Sequence, residues 1–424
     1  MVRGARTTYQ PAATRYGALG VLLPGDRKSM QPISSRVAPE DVEQIHHFVA
    51  TSRWDPEPLE RVLWKKSDAL LGGEASFLIV DDTALPKRGD KSVGVTHQYC
   101  GALGKQANCQ SLVSLTLAHD DVFMPIGVRL CLPKGWASDA ERRNRAKVPD
   151  SICYLPKWHI ALSELDRTRT VGVRFGCVLV DAGYGACAEF RRGLSERGLS
   201  WAVVILSTQN MYRENVKLWM PSNPATGRRR VHPKTGQRPV SVAQFIEEHA
   251  KFTRVTWKKG TKGPLQDDFA LVRVRPADGA QQRGTVHLPA DPAWLICERL
   301  SNGDGKYYLA NLPVTTSRKN IIATLKARWA CEMGQQQMKE ELGLHHFEGR
   351  SWFGLHHHTV LTMIAFCVPT DNSPERRKGR RVMTRRAGSL CQQYTARDPS
   401  SRYAFTMCWL STSEAPCRAS RKYG

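Results

Sequence analysis

The sequence lacks several signals that would fix its class at once. Its twelve cysteines are scattered from Cys100 to Cys417, and none stand in a Cys-x-x-Cys spacing. That excludes a zinc ribbon and argues against a disulfide framework; thiols in a reducing compartment are expected instead. Long apolar runs are also missing. The longest lies near 359–368, far short of the ~20 residues that span a bilayer, so no membrane role is expected. Met1-Val2-Arg3-Gly4 starts basic, but no apolar core and cleavage site follow, so no secretory signal is expected. No repeat of 20–50 residues is present. Gly101-Ala102-Leu103-Gly104-Lys105-Gln106 is not a P-loop, because it lacks the first glycine and the Ser/Thr after lysine. No His-Glu-x-x-His occurs. His356-His357-His358 is conspicuous, but consecutive helical residues point in different directions, so phosphate or packing contacts are expected rather than a shared metal.

Acid is scarce relative to base. The 424 residues carry 62 Lys+Arg against 39 Asp+Glu, a net charge of +23 and a pI near 9.8. Charge of that size spread along a chain is the footprint of a nucleic-acid binder. The hydrophobic fraction of 41% is enough for a packed core. The expectation is a cytoplasmic, nucleoid-associated protein of two or three domains.

The pattern along the chain is mixed. Residues 38–71 have helical periodicity, with Asp55-Pro56-Glu57-Pro58 opening a second helix that carries Leu59, Val62 and Leu63 on one face. Strand signals follow at 77–80, 109–119 and 122–132, then helical stretches at 139–147 and 157–167. A strand at 175–180, a helix at 186–198 and a strand at 201–206 complete an α/β layout. Residues 207–313 are rich in Arg, Gly, Pro and short β runs, which suggests an insertion. A helix is expected over 320–343. The last 54 residues hold twelve Lys and Arg against four Asp and Glu, without sustained periodicity, so a basic, weakly ordered tail is expected. Five segments result: a helical N-terminal region 1–74 that binds DNA ends, 75–206 and 317–370 as the two parts of the core, 207–316 as the β-rich insertion, and 371–424 as the tail.

Two of the apolar strands end in carboxylates, Asp81-Asp82 and Asp181. Strand ends in an α/β sheet are where ligands bind, although aspartate also serves turns. On the 320–343 helix, Arg328, Glu332, Gln335 and Lys339 fall within roughly 60° of one another. Ile322, Leu325, Trp329 and Met333 border that stripe and are expected to dock the helix. An exposed face with an Arg328–Glu332 pair is the plainer alternative. Three carboxylates from two strand ends and a helix are what a two-metal phosphoryl-transfer site needs, with Mg²⁺ or Mn²⁺ as the ions. Arg328 and Lys339 would then hold phosphates.

Four segments carry a resemblance. They are Ile79-Val80-Asp81-Asp82-Thr83-Ala84-Leu85-Pro86-Lys87, Val93-Gly94-Val95-Thr96-His97-Gln98-Tyr99-Cys100-Gly101, Val180-Asp181-Ala182-Gly183-Tyr184-Gly185 and Glu341-Leu342-Gly343-Leu344-His345-His346-Phe347-Glu348-Gly349-Arg350. Together they resemble bacterial insertion-sequence transposases of the DDE class, over roughly residues 20–366. Such families carry Tyr-x2-Arg-x3-Glu-x6-Lys around the last acid. Arg328, Glu332 and Lys339 stand at those spacings, and Leu325 replaces the tyrosine. The resemblance implies an α/β fold with an RNase H-like mixed-sheet core, a β-rich insertion between the second and third acids, and a small helical N-terminal domain. It implies Asp82, Asp181 and Glu332 as ligands of two Mg²⁺ or Mn²⁺ ions. Asp81 and Asp82 point to opposite faces of a strand; Asp82 is preferred because related enzymes place the acid directly before a threonine, here Thr83. The implied reaction cuts element ends and joins the 3′-OH to target DNA, within a synaptic homodimer. A catalytically inactive DNA-binding derivative, repressor-like, is the alternative, and a structure-selective nuclease is a third. Arg142-Arg143-Asn144-Arg145 and Arg228-Arg229-Arg230 are candidate phosphate contacts, with solvated faces equally open. Trp219, Trp257 and Trp294 could stack a flipped base, though a core role is the more frequent one for tryptophan.

Overall fold

The computed structural model describes residues 35, 42–222, 233–260, 263–279 and 287–367. The polar N-terminal stretch, the Arg228–Arg230 run and the basic tail lie outside them. The chain divides into two compact units. One takes the residues up to Phe175 and from Ala330 onward; the other is Gly176–Trp329.

In the first unit a short helix α1 (Val42–His46) runs on as a π turn (His47–Thr51). Helix α2 (Glu57–Leu71) follows, with Pro58 in its first turn and Glu57 and Glu60 favouring the N-terminal dipole. Its buried face carries Leu59, Leu63, Trp64, Ser67 and Leu71. Trp64 Nε1 donates to Ile126 O at 2.7 Å, which joins α2 to the sheet. Four antiparallel strands form that sheet: β1 (Gly73–Pro86), β2 (Thr96–Cys100), β3 (Lys105–His119) and β4 (Val122–Leu130). β3 is central. β1 pairs along one edge from Phe77↔Ala118 to Pro86↔Cys109, and β2 and β4 share the other. The β2–β3 hairpin carries no hydrophobic alternation strong enough to have been expected from sequence.

Two short helices follow, α3 (Lys134–Ala137) and α4 (Ala140–Arg145), then α5 (Lys157–Thr170). Asp139 caps α4 by accepting from Arg142 N at 2.9 Å. In the second unit β5 (Phe175–Val180) leads into the short α6 (Ala182–Gly185) and α7 (Ala188–Glu196). The single helix expected over 186–198 is thus preceded by a separate turn. Next come β6 (Trp201–Ile205), β7 (Asn210–Arg213), the ribbon β8 (Leu218–Trp219) and β9 (Lys234–Thr235), β10 (Val240–Ser241) and α8 (Val242–His249). The strands β11 (Thr253–Gly260), β12 (Gly263–Pro276), β13 (Ala293–Arg299) and β14 (Gly305–Ala310) precede α9 (Arg318–Lys326). β5 and β6 are parallel, and β14, β13 and β12 continue from β6 antiparallel. The mixed α/β class expected for an RNase H-like core is what the fold shows.

The helix expected over 320–343 is two helices. α9 stops at Lys326, and α10 (Trp329–Glu340) starts after a turn. Ala327 N is shared between Ala323 O (3.1 Å) and Thr324 O (3.2 Å), the tightened geometry of a helix end. Ile322 and Leu325 are buried as expected, but Trp329 and Met333 are 40% and 39% exposed. The face that α10 buries is instead Ala330, Cys331, Gly334, Gln335 and Met338. A Cβ on Gly334 would stand 3.3 Å from the Phe123 ring, so glycine lets α10 approach β4 closely. The last helix, α11 (Trp352–Cys367), is buried nearly all round. It has no polar stripe and gave no amphipathic signal.

A buried ionic network ties α2, β4 and α5 together. Arg129 donates to Glu60 Oε1 (2.5 Å) and Oε2 (2.6 Å) and to Glu164 (3.0 Å). Arg167 donates to Glu60 (2.9 Å) and Glu164 (2.9 Å). Burial raises the Glu60 pKa, but the two guanidinium groups outweigh it and hold it at about 2. A carboxyl depressed from its ordinary 4.5 stabilises the fold above that value and loses the contribution as pH falls toward 2. Glu60→Ala is therefore expected to cost about 3–5 kcal/mol in urea unfolding at neutral pH, because it strands a buried cation. The gap between wild type and variant should narrow through that acid window. A gap independent of pH would exclude the network as its cause.

Candidate active site

The two adjacent aspartates of β1 face opposite ways. Asp81 pairs with Ser114 and Asp82 with Val113, and directly opposed residues share a face. Ser114 Oγ donates to Asp81 O at 3.0 Å, and Gln335 Nε2 of α10 donates to Ser114 Oγ at 2.9 Å. The Cys331 thiol donates to Asp81 Oδ2 at 3.2 Å. Asp81 therefore lies on the face covered by α10, and it is buried. Asp82 lies on the other face, where Lys157 at the start of α5 donates to its Oδ2. The preference for Asp82 rested on its threonine neighbour; the packing brings Asp81, not Asp82, to the helix that carries Glu332.

Glu332 follows Cys331 on α10 and stands on its exposed side. Lys339 lies two turns on. Burial draws its pKa down, while the charges of Cys100 and Asp81 push it up, so its ammonium shares the neighbourhood of Asp81. Asp81, Glu332 and Lys339 thus all belong to the first unit. Asp81 Oδ1 also takes the backbone N–H of Asp82 at 2.8 Å, which fixes the carboxylate plane.

Asp181 and Arg328 belong to the second unit. Asp181 follows β5 directly and caps α6, accepting from Tyr184 N at 3.3 Å. The second glycine after it, Gly185, has a structural cause. A Cβ on Gly185 would sit 2.0 Å from Val204 O, so only glycine lets α6 lie on β6. Tyr184 is buried beneath. Arg328 sits in the turn between α9 and α10, near enough to Tyr308 to pull against the burial that raises that phenol's pKa.

Other sequence candidates resolve differently. Arg142 stacks on Trp136 at 4.0 Å and donates to Asp90 O, Arg143 donates to the carbonyls of Ile152 and Pro149, and Arg145 pairs with Glu141. None of the three tryptophans is a core residue. Trp219 is 49% exposed. Trp257 and Trp294 are half-buried and lie under Lys326 (4.8 Å) and Arg273 (5.1 Å). The three consecutive histidines are packing residues. Burial pulls His356 and His358 down to about 4, so both are neutral. His357 meets Val49 O and Trp54 O at 2.9 Å each and stacks on Trp54. Lys157 and Cys331 were not singled out from sequence; Cys331 gave only its place beside Glu332 as a signal.

Carboxylate oxygens are the donors that a hard divalent cation takes. Asp81 offers them on the α10 face, whereas one oxygen of Asp82 already holds an ammonium. Among the described residues, no group of three or more His, Cys, Asp or Glu is gathered closely enough to hold an ion. No helix among them is long and apolar enough to cross a membrane.

Comparisons with known proteins agree with the resemblance. A family model described as DDE superfamily endonuclease matches residues 6–264. That range takes in Asp81, Asp82 and Asp181 and ends before Arg328, Glu332 and Lys339. A curated relative, the probable transposase for insertion sequence element IS701 from Microchaete diplosiphon, is 29% identical over 196 residues. The match covers 46% of this chain, which therefore spans about half (49%) of that relative's length.

The docking of α10 beside Asp81 is testable. Gln335→Leu leaves the Ser114 hydroxyl without its donor, and Ser114→Ala leaves a buried amide unpaired. Each is expected to cost about 1–3 kcal/mol in chemical denaturation, and the double variant clearly less than the sum. Strict additivity would show that the two side chains do not act as one contact.

Proposed function

Because the chain belongs to the DDE superfamily of endonucleases, we propose that it is an insertion-sequence transposase that cuts DNA at its element's ends and joins the freed 3′-OH to target DNA. The observation that carries the reading is the placement of Asp81 on the α10 face, against the residue that precedes Glu332. The proposed acids are Asp81, Asp181 and Glu332, with Asp82 paired to Lys157 outside the triad. Their assembly around two ions is itself part of the proposal. Two Mg²⁺ or Mn²⁺ ions held by these oxygens would supply Lewis acidity to an in-line displacement at phosphorus.

The chain's own residues then do the rest. In the first step water attacks the scissile phosphorus, loses a proton and displaces the 3′ oxygen. In the second that 3′-OH loses its proton, attacks a target phosphodiester and displaces the target's 3′ oxygen. No covalent bond to protein forms, so no nucleophilic side chain is required. Arg328 and Lys339 hold the non-bridging oxygens and offset the charge that grows on them. The two helices before β1 are the proposed reader of the element ends, and a second copy of the chain the proposed synaptic partner. DNA is the partner that the charge of +23 suits.

The test is cleavage of DNA carrying the flanking element ends, with Mg²⁺ or Mn²⁺. Asp81→Asn, Asp181→Asn and Glu332→Gln should each lower nicking by more than about 10²-fold. Asp82→Asn should lower it by less than about tenfold, as expected for a lost surface pair. The reverse order for the two aspartates would reassign the first acid to Asp82. Specific binding without nicking in wild type would sink the enzyme reading and favour an inactive DNA-binding derivative. Nicking without joining would favour a nuclease.

A further inference from the structure

Glu298 on β13, in the β-rich part of the second unit, is a buried carboxylate, 3% exposed. Its two oxygens are divided between two donors. Lys326 Nζ bonds to Oε1, and the Tyr308 hydroxyl bonds to Oε2 at 2.6 Å. The Lys326 ammonium also lies 3.7 Å from Asp267 Oδ2. It stands over the rings of Trp257 and Phe269, at 4.8 Å and 5.5 Å.

Strand register produces this convergence. Phe269 opposes Glu298, and Ile296, two residues from Glu298, opposes Tyr308. Phe269, Glu298 and Tyr308 therefore share one sheet face. Lys326 reaches that face from α9. It is the last residue of α9, and the chain leaves the helix immediately after it, through Ala327 to Arg328.

A buried ion pair contributes little net stability compared with apolar packing; one of its attested uses is to fix a single geometry. Here it sits where a single geometry matters. Arg328 is outside both helices, so helical periodicity does not aim it. The backbone that carries it leaves the end of α9, and Lys326, bonded to Glu298, sits at that end.

We propose that Glu298, Lys326 and Tyr308 form a positioning cluster through which the β-rich segment orients Arg328. This rests on the reading of Arg328 as a phosphate contact. None of the three touches DNA; they act by fixing the turn from which Arg328 projects.

The test compares Glu298→Gln and Tyr308→Phe in wild-type and Arg328→Ala backgrounds. The first is isosteric, and the second removes only a hydroxyl. Three quantities are measured: the maximal cleavage rate on end DNA, end binding by gel shift, and amide exchange over 323–330. Glu298→Gln should slow cleavage by roughly ten- to a hundredfold, with end binding within about twofold of wild type. Exchange over 323–330 should rise. Beside Arg328→Ala the same substitution should add nothing further, because its target is gone. Equal effects in both backgrounds would overturn the proposal and leave a merely structural pair. Unchanged exchange over 323–330 would overturn it even if wild type proves not to cleave, an outcome that would separately sink the transposase reading.

Discussion

A carboxylate buried inside a strand is expensive unless something compensates it, and β1 carries a buried one, Asp81, directly before a partly exposed one, Asp82. Strand geometry sends them to opposite faces, so they cannot share a partner. Each face answers differently. Behind Asp82 the answer is an ammonium, Lys157, at the N-terminus of α5. Beside Asp81 it is shared among the Cys331 thiol, its neighbour's backbone N–H and the charge of Lys339 on α10. The first arrangement pairs a charge with a charge. The second leaves the carboxylate with donors that a harder partner could displace, since a thiol is a weak hydrogen-bond donor. α5 meets the strand on one side and α10 on the other, in step with that alternation.

Charge is used in a comparable way elsewhere. The surplus of base suggested a nucleic-acid partner, and the family supports it. Yet much of the cationic side chain is committed inside the fold. Arg129 and Arg167 close the Glu60–Glu164 network, and Arg191 bonds Asp278 at 2.5 Å. Arg142 and Arg143 satisfy a ring and backbone carbonyls within their own neighbourhood. Composition therefore reports the sign of the partner but not where it sits. Of the two basic runs read as candidate phosphate contacts, the one among the described residues, Arg142-Arg143-Asn144-Arg145, has its cations engaged within the fold.

What was legible in the sequence is what depends on short-range pattern. The apolar runs before Asp81 and Asp181 were readable because hydrophobic runs are local, but β1 continues to Pro86, so only Asp181 stands at a strand end. Also readable were the helix starting at Glu57, the helical stretch after Asp139 and the β character after residue 207. The glycines near Asp181 were visible only as part of a motif; their cause, the contact of Gly185 with Val204 O, is tertiary. The break after Lys326 was not readable. No glycine or proline marks it, and the propensities on either side favour helix, so a continuous wheel put Trp329 and Met333 on a docking face that they do not occupy. α11 went unmarked for the opposite reason: burial on all sides erases the periodicity that identifies a helix. The choice between Asp81 and Asp82 needed the β1–β3 register, which no single segment contains.

The break changes what the Arg-x3-Glu spacing means. In one continuous helix, residues four apart lie on one face, and Arg328 and Glu332 would be a fixed pair. With Arg328 in the turn, that relation no longer follows from the spacing. Glu332 takes its direction from the face of α10 that buries Cys331, Gln335 and Met338. The backbone that carries Arg328 leaves the last turn of α9, whose final residue, Lys326, is an ammonium held between a carboxylate and two aromatic rings. On the proposal made above, the β-rich segment contributes to orienting the arginine and not the acid. A substitution in the β-rich segment can then alter the arginine while leaving the acid where it is, which a rigid helix would forbid.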